Sequence, residues 1–406
     1  MVTERHDGVG PRHVHNGNTG SDLPASALEL LDEREIATAI REISSWPGYA
    51  PTPLIRLGGL AGRLGVEAVL YKDEGRRFGL HSFKALGGAY AVLSILKNKL
   101  RARGIAASVD DLIGGKFRDQ IGHETVVCAT DGNHGRSVAW GASLFGCNCR
   151  IYVHENVSTD RTEAIEAFGA VIVRTKGEYD DSVRTCARDA AKHGWTLVAD
   201  TNAGGGPPEV PRLVMQGYTV IVSELLKQLD RPPTHVFIPA GVGGLAAAVA
   251  GYWARTAGAR RPRMVVVEPH SANCVFEAIR LGQPKPVTGN TNSFMACLAA
   301  GEVSPIAWPT LHKTIDDVLT ICDEVAARTM RELAEGAYGD RPVISGESGC
   351  AAVAALVAVG GDKALRDALG INSGSRILTI GSEGATAPVI WERVVGKPPA
   401  SFVETA

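Results

Sequence analysis

Charge of one sign is what this sequence has least of. Lys plus Arg number 42 and Asp plus Glu 44 in 406 residues, a formal net charge of −2. So balanced a chain has no general attraction for phosphate backbones or anionic membranes, and neither nucleic acid nor a membrane is an expected partner. Long apolar runs are missing too. No stretch of about 18 uninterrupted apolar residues occurs, so no transmembrane helix is expected. The opening MVTERHDGVGPRHVHNGNTGSDLP has no apolar core of the secretory kind, and its glycines and polar residues predict a disordered lead-in over 1–25. Its three histidines read as incidental. The eight cysteines are scattered, with Cys147 and Cys149 as the one close pair. C-x-C alone is a weak metal signal, so no metal is expected and the thiols read as reduced, in a cytoplasmic protein. What the chain does have is 45% hydrophobic residues and 47 glycines, the make-up of a packed globular protein. At roughly 150 residues per domain, two domains are expected.

Short β-rich runs alternate with helical patterns. Strands are predicted at AVLYK (68–72), TVVCAT (125–130), CRIYVH (149–154), AVIVRT (170–175), TLVAD (196–200), HVFIPA (235–240), MVVVE (264–268) and RILTIG (376–381). Several are continuous Val/Ile runs, which suits parallel strands covered on both faces. Helical patterns lie between them at Ser158–Phe168, Tyr179–His193, Leu245–Thr256 and Glu324–Tyr338. The alternation predicts an α/β fold with doubly wound parallel sheets, in which ligands sit beyond the carboxyl ends of strands. Two segments break the rhythm: a polar insertion at 101–124, and TNAGGGPPEVP (201–211), too rich in Gly and Pro for helix or strand and read as a substrate-facing loop.

Four loops carry candidate chemistry. In HSFKALGGAY, Ser82 is a plausible N-cap that would place Lys84 in the first helical turn, as a surface lysine or as a Schiff-base amine with a lowered pKa. In THVFIPAGVGGLAAAVAGYW, a strand runs through Gly241, Gly243 and Gly244 into a small-residue helix, where bare backbone N–H groups can hold a phosphate. The same residues fit a dinucleotide fingerprint through Gly241, Gly243 and Ala246, with Glu268 near the place of a ribose-binding acid. In ATDGNHGRSVAW, Asp131, Asn133 and His134 crowd one turn, for capping or for catalysis, and no proton transfer is assigned to His134. Late in the chain, Glu347 and Ser348 precede an Ala-rich helix while Ser382 and Glu383 follow a buried strand, any of them a cap or a site residue.

Together these motifs resemble the fold-type II pyridoxal-phosphate enzymes, the group of threonine dehydratases and tryptophan synthase β chains. S-F-K at 82–84 is similar to their cofactor-lysine motif, G-N-H-G at 132–135 to their asparagine loop and G-V-G-G at 241–244 to their phosphate loop, in the same order. Within that group the nearer likeness is to the diaminopropionate ammonia-lyases, through RFGLHSFKALGGAYA (77–91), ATDGNHGRSVAWGA (129–142) and FMACLAAGEVSPIAW (294–308). Asp131 is telling, since the dehydratases usually carry a small residue there. The resemblance covers roughly residues 40–390. It implies two domains with the active site between them: a large cofactor-binding one from 26–91 and 201–406, and a small one from 92–200.

The resemblance also implies roles. Lys84 would hold pyridoxal 5′-phosphate as a Schiff base and later act as general acid/base. Asn133 would bond the ring oxygen O3′, Gly241, Val242, Gly243, Gly244 and Leu245 would cradle the phosphate, Phe83 would adjoin the cofactor, and Ser382 would meet the pyridine nitrogen. Asp131 would be a second base on the opposite face of an amino-acid substrate, and Asp200 would bind its β-amino group. Ser82, Thr130, Gly132 and His134 would line the substrate side. The implied reaction is α,β-elimination of D- or L-2,3-diaminopropionate to pyruvate and ammonia by a homodimer. One departure bears on substrate: the ammonia-lyases follow the acid at Asp200 with a stretch holding Trp, Glu and Gly, whereas this chain has TNAGGGPPEVP before the likeness resumes at VMQGY (214–218). A lyase, dehydratase or β-replacement enzyme for another β-substituted amino acid is therefore the alternative. A nicotinamide oxidoreductase would leave S-F-K and D-G-N-H-G unexplained, and a non-catalytic relative would be expected to lack Lys84, Asp131 or the glycine loop.

Overall fold

The computed structural model describes residues 2–3, 10–20, 22–130, 132–202 and 207–402. Its strands are β1 (Val2–Thr3), β2 (Arg12–His15), β3 (Leu54–Arg56), β4 (Ala68–Asp73), β5 (Thr125–Ala129), β6 (Asn148–His154), β7 (Val171–Thr175), β8 (Thr196–Leu197), β9 (His235–Pro239), β10 (Arg263–Pro269), β11 (Asp317–Ile321) and β12 (Arg376–Gly381). The chain divides into two compact units, Met1–Leu31 with Pro51–Ser82 and Ile221–Ala406, and Asp32–Ala50 with Phe83–Val220.

The first unit is built on an eight-stranded sheet in the order β1-β2-β11-β10-β9-β12-β4-β3. Its middle, from β11 to β4, is parallel throughout, while β2 and β3 close the two sides antiparallel. Every residue of β4, β9, β11 and β12 is buried, as continuous Val/Ile runs demand when both faces are covered. The second unit holds a parallel four-stranded sheet in the order β7-β6-β5-β8, with a small core around Val127, Tyr152, Cys186 and Ala190. Both sheets are the parallel α/β type that the strand–helix alternation predicts.

Four expectations change. Within the lead-in, residues 10–20 take up defined structure: Arg12–His15 pairs with β11, and Asn16 donates to the carbonyls of His312 and Ile315. His13 and His15 are not idle, since both ring nitrogens meet Asp317 Oδ1, at 2.9 and 3.0 Å, and Arg263 Nε reaches Oδ2 at 2.6 Å. The unit boundaries fall at Ser82/Phe83 and Val220/Ile221 rather than at 91/92 and 200/201, and Asp32–Ala50 joins the second unit. The cause is packing: Trp46 meets Trp140 and Phe145 edge-on at 5.7 and 5.5 Å, and Glu42 pairs with Lys97. The insertion at 101–124 holds two short helices, Val109–Ile113 with a Ser108/Asp111 capping box, and Arg118–Ile121. Finally, the 201–211 loop ends early, because a helix runs from Glu209 to Gln228 with Pro211 tolerated in its first turn; residues 203–206 lie outside the described residues.

Candidate active site

The second unit carries the lysine. Lys84 is the first residue of the helix Lys84–Ala102, whose N-cap is Phe83 in αR conformation with no side-chain cap. Ser82 is therefore not the cap expected of it. It lies one residue further out, in the first unit, where its backbone bridges Glu383. With no capping oxygen at this helix start, the Lys84 amine finds its counter-charge elsewhere, and its Nζ lies 2.5 Å from Asp200 Oδ2. Burial pushes the Asp200 carboxyl up, but the Lys84 ammonium and His134 outweigh it and hold the group well below the usual carboxylate range.

His134 lies in the same neighbourhood. Its Nε2 is 2.8 Å from the Val198 carbonyl, a partner that only an N–H can satisfy. That tautomer leaves Nδ1 as a bare acceptor, buried and without a hydrogen-bond partner among the described residues. Burial lowers the His134 pKa against the pull of Asp200, and the shift favours the neutral ring with Nδ1 as an acceptor. Thr130 organises the turn before it: its Oγ1 accepts from the amides of Gly132 and Gly135 at 3.1 and 3.2 Å. Gly132 is the N-cap of the helix Asn133–Phe145 and Asn133 its first residue, so the asparagine does not cap this helix. Asp131 lies outside the described residues.

The first unit carries an anion cradle. Between β9 and the helix Gly244–Ala257, the N-cap is Gly243 at φ +91°, and no side chain caps the first turn. The backbone angle favours glycine, and a Cβ at Gly243 would stand 2.6 Å from Leu311 Cδ1, which would have to move. Val242 holds the loop by accepting from the Ser304 amide at 2.8 Å, and Leu245 packs inward. The result is a helix N-terminus with uncapped N–H groups, the arrangement that suits a phosphate.

Ser382 follows β12 and is buried. Its neighbour Glu383 is committed to structure, accepting from the Ser348 amide and Thr386 Oγ1, each at 3.1 Å, and from Cys297 Sγ at 3.4 Å. Of the two, Ser382 suits a pyridine nitrogen better, being a neutral hydroxyl not tied into that carboxylate's bonds. Glu268 overturns the nicotinamide reading. It is fully buried, and its two oxygens accept from the amides of Val275 and Phe276 at 2.8 Å each. Burial pushes its carboxyl up to about 8, and such a group cannot reach out to a ribose.

Sequence reasoning passed over Tyr218. Its ring meets Phe83 edge-on, with centroids 4.7 Å apart and planes at 63°, and its hydroxyl lies against Lys84 and near Asp200. The signal was the Gly-Tyr of VMQGY, which carries no recognisable chemistry until the helices are placed.

An amine at an uncapped helix start, a phosphate cradle and a buried hydroxyl at a strand end suit an aldehyde cofactor with a phosphate arm. The family model for pyridoxal-phosphate dependent enzymes matches residues 45–383, and the chain belongs to that family. It is 39% identical over 380 residues to the diaminopropionate ammonia-lyase of Salmonella typhimurium, covering 91% of this chain and 94% of that protein. Holo diaminopropionate ammonia lyase from Escherichia coli superposes with a TM-score of 0.86 at 33% identity, over 97% of this chain and 98% of that one. The same enzyme in complex with D-serine also gives 0.86, at 34% identity, over 95% of this chain and 97% of that one.

Proposed function

We propose that the chain is a carbon–nitrogen lyase that eliminates ammonia from 2,3-diaminopropionate. With one water consumed, each substrate yields one pyruvate and two ammonia molecules. One observation carries the reading: Asp200, a largely buried carboxylate, already holds an ammonium group in the form of Lys84 Nζ, 2.5 Å away. A substrate whose β-substituent is itself an ammonium can take that place, because charge and donor geometry match. Serine and threonine offer only a neutral hydroxyl there.

Bound pyridoxal phosphate supplies the electron sink that makes the α-proton acidic. This chain's own residues do the rest. Gly241 to Leu245 hold the phosphate on their amides, Phe83 adjoins the ring, Asn133 donates to O3′, and Ser382 bonds the pyridine nitrogen. Lys84, released from Asp200, holds the cofactor and takes the α-proton on one face. Asp131 takes it on the other, so either enantiomer can react. Asp200 orients the β-ammonium for departure, with His134 Nδ1 as a second acceptor beside it. Ser82, Thr130 and Gly132 complete the substrate side. The solved complex of the Escherichia coli relative with D-serine supports D-configured amino acids as ligands. We further place the activity in a cytoplasmic homodimer on the strength of the family likeness; among the described residues no helix is long and apolar enough to cross a membrane.

The test is pyruvate and ammonia release from D- and L-2,3-diaminopropionate, with serine and threonine as controls. Turnover of both diaminopropionate enantiomers well above serine supports the proposal. A cofactor-loaded protein that turns over neither contradicts it.

A further inference from the structure

Tyr218 stands in the third turn of the helix Glu209–Gln228, and two glycines make its position possible. A Cβ at Gly217 would lie 2.2 Å from the Leu86 carbonyl oxygen, and one at Gly87 would lie 2.5 Å from Tyr218 Cε1. One glycine from each helix thus lets the backbones close until the phenol slides under the first turn of the lysine helix, against Phe83. The ring is 2% exposed, its oxygen lies against the Lys84 amine, and its O–H finds no acceptor among the described residues. A buried hydroxyl left unbonded costs stability, and such groups in native proteins call for an explanation. Its immediate polar surroundings are the Lys84 amine and the Asp200 carboxylate.

While Lys84 is an ammonium paired with Asp200, its protons have a partner and the phenol has nothing to donate to but a cation. A neutral Lys84 amine has a lone pair. We propose that Tyr218 is a positioning residue that donates its O–H to the Lys84 Nζ lone pair while the neutral amine waits, favouring the unprotonated form, and gives the lone pair up when the amine attacks the cofactor aldehyde or takes the α-proton. The inference rests on the proposed role of Lys84 as cofactor-holding and proton-transferring amine. No bond to carbon changes, and the phenol keeps its proton throughout: burial raises its pKa above the ordinary phenol value, so it remains a donor. Phenylalanine would keep the packing and lose the donor.

The cofactor-free full chain tests this directly, because an amine attacks an aldehyde only when neutral. The rate of pyridoxal phosphate capture is followed by visible absorbance across pH for the wild type, Lys84→Ala and Tyr218→Phe, together with Tm and steady-state kinetics. Tyr218→Phe is expected to capture the cofactor with a pH midpoint raised by about half to one unit, since a hydrogen bond to the neutral amine has been lost. Below that midpoint its kcat should fall by the matching factor, about three- to tenfold, with KM within about threefold and Tm no lower than that of the wild type. Tyr218→3-fluorotyrosine, a stronger donor of nearly the same shape, should move the midpoint down instead. Unchanged midpoints in both variants overturn the role of Tyr218 while leaving Lys84 in place. A Lys84→Ala chain that still forms the Schiff-base band overturns the underlying reading of the lysine instead.

Discussion

Asp200 is a carboxylate that holds an ammonium before any substrate arrives, and its titration should show it. Its pKa is depressed by Lys84 and His134. A depressed carboxyl contributes stability that is complete above the unfolded value of about 3.9 and is lost as pH falls toward the lower folded value. Asp200→Asn removes that contribution, so the acid limb of its Tm-against-pH curve should be shallower than that of the wild type. Equal limbs would show that the pair gives the fold nothing. Residues such as Lys84 and the glycines of 241–244 were legible because their meaning lies in a contiguous string of sequence. Glu268 was misread because a strand-end acid looks the same whether it faces a ligand or, as here, the amides of Val275 and Phe276. Tyr218 was invisible because Phe83 and Lys84, which it packs against, lie more than a hundred residues away.

The parallel strands were the most legible elements: RILTIG at 376–381 is β12 from end to end, and the helix Tyr179–His193 keeps its expected limits. β2 and β3 were not so legible, being four and three residues long and set by the strands they pair with, while of the strand expected at 196–200 only Thr196–Leu197 forms, as β8. β11 was missed although all five of its residues are buried, since a short Asp-led run carries little signal. β4 was foreseen as a strand, but not that Lys72 within it would be fully buried. Lys72 Nζ is 2.6 Å from Glu224 Oε2, and Arg77 spans Glu74 and Glu224 at 2.8 and 2.6 Å, so two cations meet two anions. Such a network is costly to break from one side. Glu224→Gln should destabilise the protein by about 3–5 kcal/mol in denaturant unfolding; a change within about 0.5 kcal/mol would mean that the remaining charges re-pair without it. The element that starts at Gly244 makes a separate prediction. Gly243→Ala strains a left-handed φ and must push Leu311 Cδ1 aside, so pyridoxal phosphate affinity should fall at least about tenfold in an equilibrium titration. Unchanged affinity would remove that loop from the cofactor site.

For the whole molecule, the class of fold could be read from the alternation of strands and helices, but the limits of the two units could not. Composition does not change at Ser82/Phe83 or at Val220/Ile221, and the second boundary falls inside one continuous helix. What assigns Asp32–Ala50 to the second unit is the packing of Trp46 on Trp140 and Phe145. The lead-in escaped notice for a similar reason: Arg12–His15 has little strand character alone, and its order comes from β11 and from Asp317, which His13, His15 and Arg263 share. The phosphate cradle belongs to the first unit and the Lys84–Asp200 pair to the second.

The central claim is that Asp200 exchanges the ammonium of Lys84 for that of the substrate. Its most direct test is the ratio of kcat/KM for D-2,3-diaminopropionate to that for D-serine, measured in the wild type and in Asp200→Asn. Loss of a charge-assisted bond made by one substrate alone should collapse the ratio by about 10- to 100-fold, with serine turnover much less affected. If both substrates slow by the same factor, Asp200 serves Lys84 alone, and the claim that it selects a diamino substrate is wrong.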